Sequence, residues 1–186
     1  MLIDESGFFL NPTVRRTYAP VGQTPVLQGF GRHRDKVSVI AALSVSPLAG
    51  RVGLYFATDA EAYLSNHGVA DFLGQLLRHL RGRVLVVWDR GNNHRGDPIW
   101  ELCGRYERLT LVELPGYAPE LNPVECLWAY VKHGRLANHV PRNVYELEDT
   151  VAEHLIESKW KPSLLRKIWQ GSQLPFPTRH CSPEGQ

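Results

Sequence analysis

The apolar positions along this chain change rhythm part-way through. Lys36 to Val45, KVSVIAALSV, is rich in β-branched residues, and Val52 to Ala57 reads as its hairpin partner across Pro47 and Gly50. Ahead of them, Met1 to Ile3 is a very short apolar lead into Asp4, and Asn11 to Pro25 is turn-rich, with Pro12, Pro20, Gly22 and Pro25. Helical spacing then takes over. Phe72, Leu73, Leu76, Leu77 and Leu80 form one apolar stripe. Val84 to Trp88, VLVVW, is an unbroken apolar run that predicts a strand buried on both faces, as in a parallel or mixed sheet. Asp97 and Pro98 read as the N-cap and first position of a helix to about Glu107. Leu109 to Leu114 reads as a strand, and Asn122 and Pro123 open a helix through about His133. Asn143 opens another, with Val144, Leu147, Val151 and Leu155 on one face, and Pro162 to Trp169 is a last short helix before a flexible tail, 171–186. Strands first and strand–helix alternation afterwards predict an α/β fold, a mixed sheet flanked by helices.

Composition narrows the class without changing that picture. The chain has 186 residues, 43% hydrophobic and 22% charged, which is one globular domain and excludes a disordered, collagen-like or coiled-coil protein. Its apolar uncharged stretch, Val37 to Gly50, holds 14 residues, short of the roughly 20 a spanning helix needs. No basic segment followed by an apolar run marks a signal peptide. Three cysteines, Cys103, Cys126 and Cys181, make an odd count without zinc-type spacing, which reads as a reducing, cytoplasmic setting and no membrane. Net charge is only +2, but 16 of the 21 basic residues are arginine. Arginine suits bidentate contact with phosphate, although a GC-rich genome gives the same bias.

The candidate chemistry is acidic. Asp4 and Asp89 each follow an apolar run, and Glu125 lies on the first turn of a helix. Ligands of open α/β sheets gather beyond the carboxyl ends of strands, where the two aspartates converge if their strands are neighbours. Gathered carboxylates repel and raise one another's pKa values. A divalent cation removes that conflict, and magnesium prefers carboxylates and phosphate oxygens. A pair of such ions serves phosphoryl transfer. Each acid also has a plainer reading. Asp4 starts a turn before Ser6 and Gly7, Asp89 ends a strand before the Gly91-Asn92-Asn93 loop, and Asn122-Pro123-Val124-Glu125 is a capping box. Asn143-Val144-Tyr145-Glu146 has the same pattern with no catalytic suspicion attached, so the box alone does not select Glu125. What selects it is the proline-framed lead-in Tyr117-Ala118-Pro119-Glu120-Leu121-Asn122-Pro123.

That lead-in carries a resemblance. LPGYAPELNPVECLWAYVK resembles the third-acid segment of mariner-type DDE transposases of bacterial insertion sequences, through Leu114, Pro115, Tyr117, Pro119, Leu121, Asn122, Pro123, Glu125, Trp128 and Lys132, with Ala118 in place of the usual serine. VLVVWDRGNNHR resembles the second-acid strand, which maps to Asp89 and the downstream His94, with Arg90 where many members have asparagine. Asp4-Glu5-Ser6-Gly7-Phe8 is similar to the family's opening, and Arg16 to Pro25 to the segment after it. The resemblance implies a ribonuclease-H-like catalytic domain over residues 1–170, with Asp4, Asp89 and Glu125 as catalytic residues and ligands of two magnesium ions, replaceable by manganese. It implies metal-dependent cleavage of transposon ends, joining of the freed 3′-hydroxyl to target DNA, and a homodimer on double-stranded DNA in the cytoplasm, at the nucleoid.

Full-length members carry helix-turn-helix domains ahead of the first acid, whereas three residues precede Asp4 here. The chain therefore reads as a fragment, a degenerate copy or the downstream half of a split element, with a separate N-terminal DNA-binding polypeptide as partner. Its first strand reads as a stub. His94 either orients a water or phosphate or is a solvated loop histidine, and Lys132 either contacts DNA or is an exposed helix lysine. Arg32, Arg34 and Lys36, with Arg90 and Arg95, are candidate DNA contacts, as are Arg78, Arg81 and Arg83; plain solvated surface is the alternative. Besides an active transposase, a non-catalytic DNA-binding or assembly remnant and a small-substrate phosphoesterase remain open.

Overall fold

The computed structural model describes residues 1–28, 35–46, 49–62, 64–91 and 94–177. Strands β1 (Leu2–Phe9), β2 (Lys36–Val45) and β3 (Val52–Asp59) form an antiparallel meander. Helix α1 (Asn66–His79), β4 (Val84–Trp88), α2 (Asp97–Arg105) and β5 (Leu109–Glu113) follow in alternation. A short 3₁₀ turn, Pro119–Leu121, leads into α3 (Pro123–Tyr130), which widens into a π-helical turn over Val131–Arg135. Helices α4 (Val144–Lys159) and α5 (Pro162–Gln170) complete the chain. The sheet order is β3-β2-β1-β4-β5, with β4 parallel to both β1 and β5. The predicted α/β class, with a mixed sheet flanked by helices, is the observed one.

Alternation along β2 explains why its sequence does not alternate in polarity. Val39, Ala41 and Leu43 pack with α3, α4 and α5 on one face, while Ile40 and Ala42 pack with α1 and α2 on the other. β2 is buried on both sides, so both sets of its side chains are apolar; β4, expected to be covered on both faces, is not, because Leu85 stands half-exposed on a face that no helix covers. The same alternation sorts β1: Leu2 and Phe8 belong to the α3 face and Ile3 to the α1 face. Asp4 therefore shares the α3 face, and Glu5 the α1 face.

The first strand differs from its sequence reading. It is not a stub ending at Asp4 but eight residues paired with β2 along its length, from Leu2↔Leu43 to Phe9↔Lys36. Hydropathy conceals it because Glu5, Ser6 and Gly7 interrupt the apolar pattern inside the strand. A Cβ at Gly7 would sit 3.2 Å from the Lys36 side chain, a tight contact that this side chain would have to shift to relieve. Asp4 is consequently an interior strand residue in the centre of the sheet. The N-cap of α2 is Gly96 with φ 107°, not Asp97, which lies in the first turn beside Pro98. Over residues 171–177 the chain stays packed: Gln173 N–H donates to Glu120 C=O at 2.8 Å, and Phe176 meets Trp169 edge-on; the rest of the expected flexible tail lies outside the described residues. Among the described residues no helix is long and apolar enough to cross a membrane.

Candidate active site

Register brings the two aspartates level. Leu2 pairs with Val87 across the parallel β1/β4 ladder, so Asp4 and Asp89, each two residues further on, reach the same height on neighbouring strands. Met1 C=O accepts from Val87 N–H at 2.8 Å and fixes that register. The α3 start faces them across a cleft of about 540 Å³, which Asp4, Asp89, Asn122, Glu125 and the loop from Leu114 to Pro119 line. Tyr117, on that loop, holds φ 58° with its side chain fully exposed.

Each acid is held differently. Asp4 is 8% exposed, and its Oδ2 accepts from Trp128 Nε1–H at 2.7 Å. Burial, then the Glu125 charge, raise its pKa to about 7; the Trp128 hydrogen bond opposes them, and Glu5 and Asp89 add to the rise. Asp89 sits just past β4 and is exposed, with Oδ1 accepting from Gly91 N–H at 2.8 Å and lying 3.0 Å from His94 Nδ1. Glu125 is exposed at the third position of α3, and among the described residues nothing hydrogen-bonds to its carboxylate. Asn122, buried at the N-cap, caps Val124 N–H at 3.1 Å and donates from Nδ2 to Ile3 C=O at 3.1 Å. It thereby ties the start of α3 to the strand residue before Asp4.

His94 is not a solvated loop residue. Its side chain is 2% exposed and stacks on Trp88 at 4.4 Å, with Nε2 2.9 Å from Glu5 Oε1 and Nδ1 2.9 Å from Asp89 C=O. Burial lowers its pKa, but the hydrogen bond and charge of Glu5 and the contacts with Asp89 outweigh that and leave it raised. Nor is Lys132 a free helix lysine: Nζ donates to Ser6 Oγ at 2.6 Å and lies over the Phe8 ring. Burial lowers its pKa against the opposing pull of Glu125 and Asp4. Its place in the widened turn after α3 keeps it beside the acids, and such turns recur at functional sites.

The basic candidates divide. Arg90 lines the cleft, and Arg90 and Arg95 lie 3.4 and 3.8 Å from opposite oxygens of Glu113, at the end of β5. Exposed pairs of this kind contribute little to stability, so both guanidiniums stay available to a phosphate. Lys36 lies at the Phe9 end of β1, away from the aspartates. Arg32 and Arg34 lie outside the described residues. Cys103 and Cys126 are free thiols; burial raises the pKa of each, and Glu125 adds to the rise at Cys126.

The acids suit a divalent cation by chemistry: hard oxygen donors whose mutual repulsion is already visible at Asp4. Among the described residues no three carboxylate, imidazole or thiol groups converge tightly enough to grip a single ion. The three acids share a cleft rather than a finished coordination shell.

Residues 1–148 match the DDE superfamily endonuclease family. The chain belongs to that family. No curated protein sequence matches it significantly. Among solved structures, this DDE domain is similar to a Mos1 transposase paired-end complex with the left transposon end, with TM-score 0.63 and 18% identity over 95% of this chain and 51% of that one. A Mos1 mariner paired-end complex with Mn gives TM-score 0.61 and 18% identity over 91% of this chain and 50% of that one. The Mos1 mariner catalytic domain alone gives 0.57 and 14%, over 91% and 74%. At these identities the likeness establishes the fold, the ribonuclease-H-like fold of transposase catalytic domains. The chain spans about half the length of the full Mos1 chains it matches.

Three contributors had escaped the sequence reading. Glu5, Asn122 and Trp128 enter the sequence reading only within motifs. The strand alternation separating Glu5 from Asp4, and the spare amide of a buried N-cap asparagine, were the available signals.

Proposed function

We propose that this DDE domain is the catalytic domain of a mariner-type insertion-sequence transposase, cleaving phosphodiester bonds at transposon ends and joining the freed 3′-hydroxyl to target DNA. The observation that carries the reading is the level placement of Asp4 and Asp89 on adjacent parallel strands, with Glu125 facing them across one cleft. Asp4, Asp89 and Glu125 are the residues that would hold magnesium or manganese, as two ions. Such ions supply Lewis acidity at the scissile phosphate.

The surrounding residues have separate tasks. Trp128 fixes the Asp4 carboxylate, and Asn122 sets the distance between α3 and β1. Lys132 balances part of the acid charge and braces Ser6, two residues beyond Asp4. Arg90 at the cleft, and Arg95 beside it on Glu113, meet the DNA backbone without reading sequence. Manganese-bearing Mos1 mariner complexes on transposon ends support both the ion class and the DNA partner. A homodimer on paired DNA ends, acting in the cytoplasm at the nucleoid, completes the proposal.

The test is manganese-dependent nicking of double-stranded DNA by the purified chain. Wild type is expected to nick and Asp89→Asn to be inactive. Nicking that survives Asp89→Asn overturns the assignment. Salt-sensitive DNA binding with no nicking by either protein favours a non-catalytic remnant, and turnover of small phosphate esters alone favours a phosphoesterase.

A further inference from the structure

We propose that Glu5 and His94 form a positioning pair that aims one oxygen of Asp89, Oδ2, into the cleft. The inference rests on the metal-binding reading of the acids and adds to it a residue that no motif assigned. Consecutive residues of β1 serve the two aspartates from opposite faces of the sheet. Asp4 enters the cleft on the α3 side. Glu5 turns to the α1 side, where its carboxylate meets His94 Nε2 at 2.9 and 3.2 Å.

The histidine has little freedom. It is 2% exposed, stacked on Trp88 at 4.4 Å with an interplanar angle of 2°, and engaged at both ring nitrogens. Its Nδ1 addresses Asp89 twice, at the backbone carbonyl (2.9 Å) and at Oδ1 (3.0 Å). Gly91 N–H donates to the same Oδ1 at 2.8 Å, and a Cβ at Gly91 would sit 2.9 Å from it. Gly91 N–H thus engages Oδ1 by hydrogen bond while the His94 ring lies against it by charge, and among the described residues Oδ2 has no partner. An exposed aspartate past the end of a strand would otherwise sample several rotamers. Here the chain Glu5–His94–Asp89 links it to the central strand that carries Asp4, so the two aspartates move together.

Stability alone does not account for the arrangement, because a buried ionic pair is often no more stable than an apolar replacement. Orientation of a ligand does account for it: outer partners of metal ligands typically contribute about 10–100-fold in affinity.

The experiment measures manganese affinity by calorimetric titration of the full chain in wild type, Asp89→Asn, Glu5→Ala and Glu5→Gln. Binding is expected to be lost in Asp89→Asn and weakened about 10–100-fold in Glu5→Ala. Glu5→Gln is expected to recover most of it, since its Oε1 still accepts from Nε2–H. Affinity in a folded Glu5→Ala within twofold of wild type, with Asp89→Asn inactive in binding, overturns the positioning role alone. Binding that survives Asp89→Asn, or is absent from wild type, overturns the metal reading and this inference with it. Should Glu5→Ala not fold, magnesium titration of the wild type decides. The ¹⁵N signals of the His94 ring are expected to move in wild type and not in Asp89→Asn, and signals unmoved at saturating magnesium overturn the proposal.

Discussion

Two helix starts in this molecule share the pattern Asn-x-x-Glu and use it in opposite ways. At α4, Asn143 Oδ1 accepts from Glu146 N–H at 2.9 Å, and Glu146 Oε2 turns back to accept from Arg142 N–H at 2.8 Å. The acid is absorbed by the backbone it caps. At α3, Asn122 caps Val124 instead and spends its amide on Ile3 C=O, while the Glu125 carboxylate is bound by nothing among the described residues. Asn122 is buried between a helix and a strand, whereas Asn143 opens an exposed turn. The difference teaches that a first-turn acid becomes available for chemistry when its cap is recruited elsewhere. Of the two, only the α3 start has a proline directly after its cap, Pro123, and its acid lines the cleft.

The largest expected effect separates the two glutamates by function. Glu125→Gln should reduce DNA nicking by at least about 10²–10³-fold, the scale of losing a group that stabilises developing charge. Glu146→Gln should leave nicking unchanged. Equal losses in both, measured as initial rates on supercoiled DNA, would erase the distinction.

The next effect concerns where the freed carboxylate is felt. Burial and Glu125 raise the Asp4 pKa to about 7, above the unfolded value near 3.9. The folded state therefore holds this proton more tightly than the unfolded state. The associated stability is fully present below about pH 4 and is lost as pH rises through about 7, on the order of 4 kcal/mol in all. Asp4→Asn keeps an acceptor for Trp128 and cannot ionise. In chelator its melting temperature should match wild type near pH 4 and exceed it increasingly up to pH 8. A gap that does not vary with pH would show that Asp4 ionises freely.

Smaller effects divide the two caps. Asn122→Ala removes a cap and leaves a buried carbonyl unpaired, about 2–4 kcal/mol together. Asn143→Ala removes a cap alone, about 1 kcal/mol. Urea unfolding checks this, and equal costs would mean that the link to Ile3 contributes nothing. The smallest change is at Tyr117, whose left-handed backbone holds an exposed ring. Tyr117→Gly should leave the melting temperature unchanged or slightly raised, and a clear fall would reveal a hidden contact.

Much of this architecture was legible in the residues. The VLVVW strand, the α1 stripe and the Asn-Pro helix start announce themselves because burial, periodicity and capping act over short stretches of chain. The first strand did not, because Asp4, Glu5, Ser6 and Gly7 are polar or small inside a strand whose place is fixed by the β2 ladder. The three acids were legible through the motifs around them, and their common cleft fits those motifs. Their supports were not: Trp128 to Asp4 spans 124 residues, Asn122 to Ile3 spans 119 and His94 to Glu5 spans 89. Contacts of that range depend on sheet order, which hydropathy does not encode. The histidine and lysine were visible as residue types, but their burial was not.

On the proposed function, Asp4, Asp89 and Glu125 act as one metal site. The most direct measurement is the melting temperature of the full chain against manganese concentration, in wild type and in Asp4→Asn, Asp89→Asn and Glu125→Gln. A ligand that binds only the native state raises its stability. A manganese-dependent rise is expected in wild type, and each substitution is expected to abolish or sharply reduce it. A rise of the same size in all four proteins would place the ion elsewhere and contradict it.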